Sequence, residues 1–472
     1  MKTISLFEIY NRYHLYAMGI LVIFFSFIFT NFSIIRHLQF NSDAFDLGIY
    51  TQISYLYSQG ITPYSTIKHM PLLADHFEPI LWILAPIYKL YPDPITILIV
   101  QSIFVTTSAI PLYFFAQKKT KNNLLSLVII TSYLTSVGIV NAIKVDFHTT
   151  TISVLPISLI LYSWYFKKMR LYWFSVFSAF LFKEDLPILI SGFALFQIIS
   201  GERKLGIYTL ICSILAFISI KFIILPSLWK GAESHYLASS ILPLNQPFDL
   251  LILFLTSPKI YLDVFFNSPI KIDTFYTLHQ PFAFMSLLSP LSWLTTLPVL
   301  FFRFSSTQSV MWTTLFHYNA NLMPFITVST ILAITKFRMP QKIITSLFVI
   351  LLLTSILSPN NIIWESIEQK QNPANEYRFK LLSRIPVNES VSAQSKLLPH
   401  LANREKIYLF PEVLDANYIV VDTSLESYRI EKKDLLTAIK NHTASKEWNI
   451  YQQEKNMIIF ERVNKLNPSY LN

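Results

Sequence analysis

Charged side chains are scarce in this chain. Asp, Glu, Lys and Arg make up 14% of its 472 residues, while 53% are hydrophobic; a water-soluble domain carries about a quarter charged residues. So little charge excludes an ordinary soluble globule. Cysteine is almost missing: Cys212 stands alone, which rules out an intramolecular disulfide framework and any cysteine-built metal site. No small-residue cleavage signature follows the first apolar run, Leu15 to Ile35, so it reads as a retained span and not as a removed signal peptide. Internal repeats and low-complexity tracts are absent as well.

What the chain does have is a series of membrane-length apolar runs, enough to cross roughly 30 Å of hydrocarbon several times. The net charge is +10, but its basic residues sit in short clusters between those runs: Lys118, Lys119 and Lys121; Lys167, Lys168 and Arg170; Arg203 and Lys204. That placement signals topology and excludes nucleic acid as a partner. The positive-inside rule puts the N-terminus, with Lys2 and Arg12, in the cytoplasm of a multi-pass cell-membrane protein. About nine to eleven membrane helices are expected. The run from Leu171 to Ser200 is broken by Lys183, Glu184 and Asp185, and basic clusters at both its ends require an outward turn there. Each half is short of the hydrocarbon thickness, as in a hairpin shielded by protein.

Residues 1–358 thus form an α-helical polytopic transmembrane domain, with a large first outer loop over 36–93. Within that loop Pro79 to Tyr91 reads as a surface helix, and another surface helix is expected at Leu250 to Thr256. From about Pro359 the apolar runs shorten to strand length (Ile407–Phe410, Tyr418–Val421, Met457–Phe460) and alternate with a charged helix at Lys432 to Asn441. Residues 359–472 are therefore expected to be a small soluble α/β domain, placed outside the cell.

The first loop opens with Asn41 to Gln59, where Asp43 and Asp46 precede Ile49, Tyr50, Ile53, Leu56 and Tyr57 at near-helical spacing. That apolar face suits a helix lying on the bilayer surface. The two carboxylates also fit a plain helix start, with Asp43 as N-cap. Further polar residues collect on the same outer face: Asp75, His76 and Glu78, then Asp146 and His148, then Lys183, Glu184 and Asp185. Ionisable residues at a membrane are costly and point to function. Each has a plainer reading beside this one. His76 and His148 suit an interface, Lys183 with Asp185 suits a structural ion pair, and His317 with Tyr318 suits an aromatic belt.

The chemistry that would use such a set is transfer of a sugar from a lipid-linked donor. A carboxylate, Asp46 with Asp43 as the second candidate, would take the acceptor's proton. Lys183 would meet the charge on the leaving phosphate, helped by His76 or His148. His76 with Glu78, and Asp146 with His148, are also compatible with a Mn²⁺ or Mg²⁺ site.

The blocks FDLGIYTQ (45–52), DHFEPILWILAPIYKLYP (75–92), DFHTTTISVLP (146–156), KEDLPI (183–188), HYNANLMPF (317–325) and VSAQSKLLPHLANREKIYLFP (391–411) occur in an order that resembles the domain-of-unknown-function 2079 family of prokaryotic membrane proteins. That family is grouped with the GT-C glycosyltransferases. The resemblance implies a first outer loop bearing an acidic catalytic residue, a position taken here by Asp46, and a polyprenyl-phosphate sugar as donor. It places His76, Asp146, His148, Lys183, Glu184 and His317 in recurring blocks, as candidates for donor or substrate binding. The neighbouring acidic pair common in the wider fold is absent here.

The resulting expectation is a GT-C-type membrane glycosyltransferase, its active site on the outer face among membrane lipids, with the acceptor undefined. The alternatives are a transporter or lipid flippase using the same charged cavity, and a non-catalytic scaffold. A transporter would favour inverted repeats and charges at mid-membrane. A scaffold would tolerate loss of Asp46 but not loss of the tail.

Overall fold

The computed structural model describes residues 6–228, 256–359, 361–370, 372–426, 428 and 430–465. The chain forms two compact units that interleave in sequence. One comprises Met1–Phe29, His76–Glu78 and Gln101–Ser366, the other Thr30–Asp75, Pro79–Val100 and Ile367–Asn472. The first loop is therefore grouped with the tail, a division different from the linear one at residue 358.

Among the described residues, three helices are long and apolar enough to cross a bilayer: Tyr13–Leu38, Pro94–Thr120 and Arg203–Leu228, of 26, 27 and 26 residues. At 1.5 Å per residue each reaches about 39 Å, beyond the roughly 30 Å of hydrocarbon. On the N-terminal helix Tyr16, Ile20, Ile23 and Phe27 recur at helical spacing and stay 65–71% exposed. A soluble protein would bury that stripe, and a lipid environment covers it. A further apolar pair, Asn123–Leu134 and Val137–Lys144, bends by 41° at its break and has the length and composition of a broken span or a re-entrant loop. At the bend the Thr135 and Ser136 hydroxyls donate to the Thr131 and Tyr133 carbonyls, side-chain competition that loosens a helix.

The remaining apolar runs fold as shorter helices, including Val154–Tyr165, Met169–Ala179, Leu186–Ile199, Pro290–Phe304, Met323–Lys336 and Gln341–Ile356. Counting single long helices thus gives fewer crossings than the expected nine to eleven, because turns divide the runs. The Lys183–Glu184–Asp185 triplet lies between helices Met169–Ala179 and Leu186–Ile199, where the sequence placed it. Most of the segment from Pro226 to Thr256, including the surface helix expected at Leu250, falls outside the described residues.

Helix Leu186–Ile199 packs against both Arg203–Ile218 and Pro290–Phe304, and glycine permits the approach. A Cβ on Gly192 would collide with the Leu294 carbonyl oxygen and lie 2.9 Å from its carbon; one on Gly206 would lie 2.7 Å from the Ala194 oxygen. Small residues at helix contacts are the usual device in membranes. Gly192→Leu is expected to lose at least the ~1–3 kcal/mol of overpacking. Gly19→Ala, with nothing within 4 Å of the added carbon, should match wild type in the same detergent-solubilised thermal unfolding assay.

The second unit contains a five-stranded mixed sheet made of β1 (Val391–Ala393), β2 (Ile407–Leu409), β3 (Tyr418–Asp422), β4 (Trp448–Glu454) and β5 (Met457–Arg462), in the order β2-β1-β3-β5-β4. β1 runs parallel to both β2 and β3; β5 is antiparallel to β3 and pairs with β4 through a hairpin, whose register shifts between Ile450 and Gln452. Helix Lys432–Ala444 contributes Leu435 to a core of Phe410, Ile419, Val421, Trp448 and Phe460.

The first loop completes this unit. Thr66 donates its hydroxyl to the Ile407 carbonyl at 2.6 Å and accepts from the Ile407 amide at 2.9 Å. Gln52 reaches the same hydroxyl at 2.7 Å and the Glu405 carbonyl at 2.9 Å. β2 is an edge strand, and these bonds occupy backbone groups that would otherwise template aggregation. Helix Ile49–Gln59 ends at Gly60, whose left-handed φ of 72° suits a residue without a side chain. This helix corrects the reading of a bilayer-surface element. Ile49, Tyr50, Ile53 and Leu56 are buried by protein, but so are Thr51, Gln52 and Ser54, and of the apolar residues only Tyr55 and Tyr57 stay half-exposed. The following helix, Ile80–Leu90, does leave Trp82, Ile83, Ile87 and Leu90 exposed, the kind of face a bilayer interface accepts.

Candidate functional site

In the helical unit, the short segment His76–Glu78 is tied to the Lys183–Asp185 turn through one carboxylate. Glu184 Oε1 lies 2.9 Å from His76 Nδ1, and Glu184 Oε2 accepts from the Phe77 amide at 3.1 Å. Burial alone would raise the Glu184 pKa. The neighbouring His76 and Lys183 outweigh it and hold the carboxyl down at about 2. Asp185, next in sequence, goes the other way, pushed up by burial. Lys183 feels burial pulling its ammonium down, but the carboxylates of Asp185, Glu184 and Glu78 together hold it above its ordinary value. It stays a cation at neutral pH.

That asymmetry carries a pH signature. A depressed folded-state pKa means that the Glu184 contribution is complete above its ordinary value of 4.5 and is lost as pH falls towards about 2. The stability difference between wild type and Glu184→Gln should therefore be constant above that range and shrink within it, as read by thermal unfolding across pH.

Glu78 is fully buried and accepts the Thr149 hydroxyl at 2.6 Å. Thr149 opens the turn after Asp146 and His148. The His148 amide donates to Gln101 Oε1 at 2.9 Å, and its Nδ1 lies 3.0 Å from the Asp146 carbonyl. A carbonyl only accepts, so Nδ1 carries the proton there. The His148 ring stacks on His317 with centroids 3.4 Å apart and planes 18° from parallel. Burial, together with nearby His148, Lys183 and Arg303, drives the His317 pKa well below its ordinary value and keeps the ring neutral.

The segment around His317 is held by a residue that no sequence motif singles out. Arg303, almost fully buried, donates to the Met311, Thr313 and Tyr318 carbonyls and to Asn319 Oδ1, at 2.9, 3.1, 3.4 and 2.6 Å. It thereby gathers the segment from Met311 to Asn319, which contains His317. The sequence did hold a signal. Arg303 is the sole Asp, Glu, Lys or Arg between Asp273 and Lys336, and a lone charge in an apolar stretch needs a partner. A second buried cation, Lys271, bonds the Val264 and Phe304 carbonyls and Asn267 Oδ1 at 3.0, 2.6 and 2.9 Å.

Asp43 and Asp46 belong to the other unit. Asp43 sits at the N-cap position of a π-helical turn, Ala44–Gly48, but its side chain does not cap. Its carboxylate instead lies 3.2 Å from Lys396 Nζ and accepts the Ser395 hydroxyl at 3.1 Å. That is a structural tie to the tail. Asp46 is half-buried within the π turn itself, a distortion often found at functional positions. Helical site and acidic turn thus have separate local supports. Among the described residues no three His, Cys, Asp or Glu are grouped so as to hold a metal ion. Within the set His76, Glu78, Asp146 and His148, His76 lies against Glu184, and Glu78 accepts from Thr149.

Residues 36–459 match the model of a family described as a predicted membrane protein (DUF2079). No curated protein matches the chain. Among solved structures, the fold is similar to that of ArnT from Cupriavidus metallidurans bound to undecaprenyl phosphate, with a TM-score of 0.52 over 94% of this chain and 98% of that one, at 11% identity. At that identity the likeness is one of fold, and it agrees with the GT-C-like architecture expected from the sequence blocks.

Proposed function

The chain belongs to the DUF2079 family of predicted membrane proteins, and from that premise we propose that it is a GT-C-type glycosyltransferase that moves a sugar from a polyprenyl-phosphate donor to an acceptor at the outer face of the membrane. The observation carrying this reading is the fold likeness, over nearly the whole chain, to a protein whose structure holds undecaprenyl phosphate. In the reaction the acceptor hydroxyl oxygen bonds to the sugar's anomeric carbon while the bond from that carbon to the phosphate oxygen breaks. The electron pair leaves with the polyprenyl phosphate, and the acceptor's proton passes to Asp46. Lys183, kept cationic by its neighbours, meets the phosphate as its charge grows. Glu184 and His76 fix the turn that presents Lys183. Glu78, Asp146, His148 and His317 stand as binding groups behind it.

Mass spectrometry of lipids co-purifying with the detergent-extracted protein tests this reading. Polyprenyl phosphate, bare or sugar-bearing, should be enriched on wild type and depleted on Lys183→Ala. Bulk phospholipid alone, unchanged between the two, would remove the donor site and leave transport through the same charged cluster as the reading to pursue.

A further inference from the structure

Among the buried polar atoms of the helical unit that have no hydrogen-bond partner among the described residues, three belong to amide or imidazole side chains joined to one another by contacts: Gln101 Nε2, His317 Nδ1 and Asn321 Oδ1. Their side chains are nearly sealed, with Gln101 0%, Asn321 2% and His317 6% exposed. They are linked through neighbouring contacts. Gln101 holds the His148 amide, His148 stacks on His317, and His317 and Asn321 share the turn His317–Leu322. Because an amide N–H can only donate, its bond fixes Gln101 with Oε1 towards His148 and leaves the amide nitrogen unused. Folded proteins rarely leave such atoms unmatched, and each one costs stability.

Their chemistry is uniform. One is an amide donor, one an amide acceptor, and the third belongs to an imidazole kept uncharged by burial and by nearby Lys183 and Arg303. None carries charge, so an anion gains little from them. A hydroxyl both donates and accepts, and a buried group shaped for one rejects ligands that lack it.

We infer that Gln101, His317 and Asn321 form a subsite for the neutral, hydroxyl-bearing part of the substrate, the sugar itself, beside the phosphate-binding Lys183. The inference rests on the proposed function, in that the sugar is taken to arrive on a polyprenyl phosphate. It divides the labour: the lysine turn reads the phosphate, and the amide–imidazole set reads the hydroxyls.

The test compares binding of undecaprenyl phosphate and of a panel of undecaprenyl-phosphate hexoses and pentoses to the full-length protein in nanodiscs. Asn321→Leu and Gln101→Glu are the variants, the latter keeping the oxygen that holds His148. Each should weaken the sugar-bearing lipid that wild type prefers by about ten-fold or more while leaving bare undecaprenyl phosphate unchanged. Asn321→Leu should also match or exceed wild type in unliganded thermal stability, because it removes an unmatched buried acceptor. If either folded variant keeps the wild-type preference among sugars, or Asn321→Leu is markedly less stable without ligand, the atoms serve bound water or packing and the subsite is overturned. If wild type binds neither class of lipid, the proposed function fails first and the subsite with it. Loss of both classes in Lys183→Ala alone separates the two.

Discussion

Asp46→Asn is expected to cut sugar transfer by about 10²–10⁴-fold, the usual share of a general base, while expression, extraction and unfolding temperature stay at wild-type values. The substitution keeps the shape of the side chain and removes only its capacity to take a proton. The turn around it is secured by other residues: Ala44, Leu47 and Gly48 are buried, and a neighbouring carboxylate, Asp43, makes the bridge to Lys396. Asp43→Asn should therefore show the opposite balance, a modest loss of stability with turnover retained. Turnover measured with the donor identified by co-purification decides between them. Wild-type rates in Asp46→Asn would remove the residue from the mechanism, and a collapse of stability would mark it as a helix-start residue.

The largest stability effect is expected at Arg378. Its guanidinium donates to Asp422 Oδ2 at 2.8 Å and to the Ser424 hydroxyl at 2.7 Å, and it also bonds Asn375. Asp422 has no exposed side-chain surface and accepts the Tyr377 hydroxyl at 2.9 Å and the Ser424 amide at 2.8 Å. Burial would raise the Asp422 pKa, but these donors hold it below the ordinary value. Arg378→Ala leaves a buried carboxylate short of its main partner, at a cost of about 3–5 kcal/mol. The contribution of Asp422 itself is present above an ordinary carboxylate pKa of about 3.9 and is lost as pH falls through its lower folded value. Denaturation of wild type and Arg378→Ala, followed at neutral pH and below pH 4, reads both effects. A difference under about 1 kcal/mol at neutral pH would mean that the pair is solvated.

How much of this was legible follows from the range of the forces involved. Long apolar runs announce themselves locally, so the spans at Leu15–Ile35, Ile95–Ala116 and Leu205–Leu225 were readable to within a few residues, as were β3, β5 and helix Lys432–Ala444. The lysine–acid triplet was readable as a turn because three adjacent charges are too costly to leave in the middle of a lipid-crossing helix. β1 and β4 were missed: Val391–Ala393 is only three residues long, and Trp448–Glu454 is largely polar. Neither alternates in a way that sets it apart from a loop. The burial of Ile49–Gln59 could not be read from its own pattern. An amphipathic stripe says that one face needs cover, not whether lipid or protein supplies it, and here the main cover is the helix Ile80–Leu90. The same holds for Arg303 and for the stack of His148 on His317, whose partners converge only in the folded chain.

The bonds between Thr66 and Ile407 join positions 341 residues apart, and those from Ser395 to the Ala44–Asp43 turn span 351 or more. During synthesis, at about 5–20 residues per second, the acidic turn leaves the ribosome early and waits on the order of a minute for the strand that completes it. The candidate base is thus assembled last although it is made first. A prematurely terminated chain would carry its membrane helices and its Lys183 turn but an unsupported Asp46. If Asp46 is the base proposed above, competence for transfer depends on arrival of the segment that carries Ser395 and Ile407.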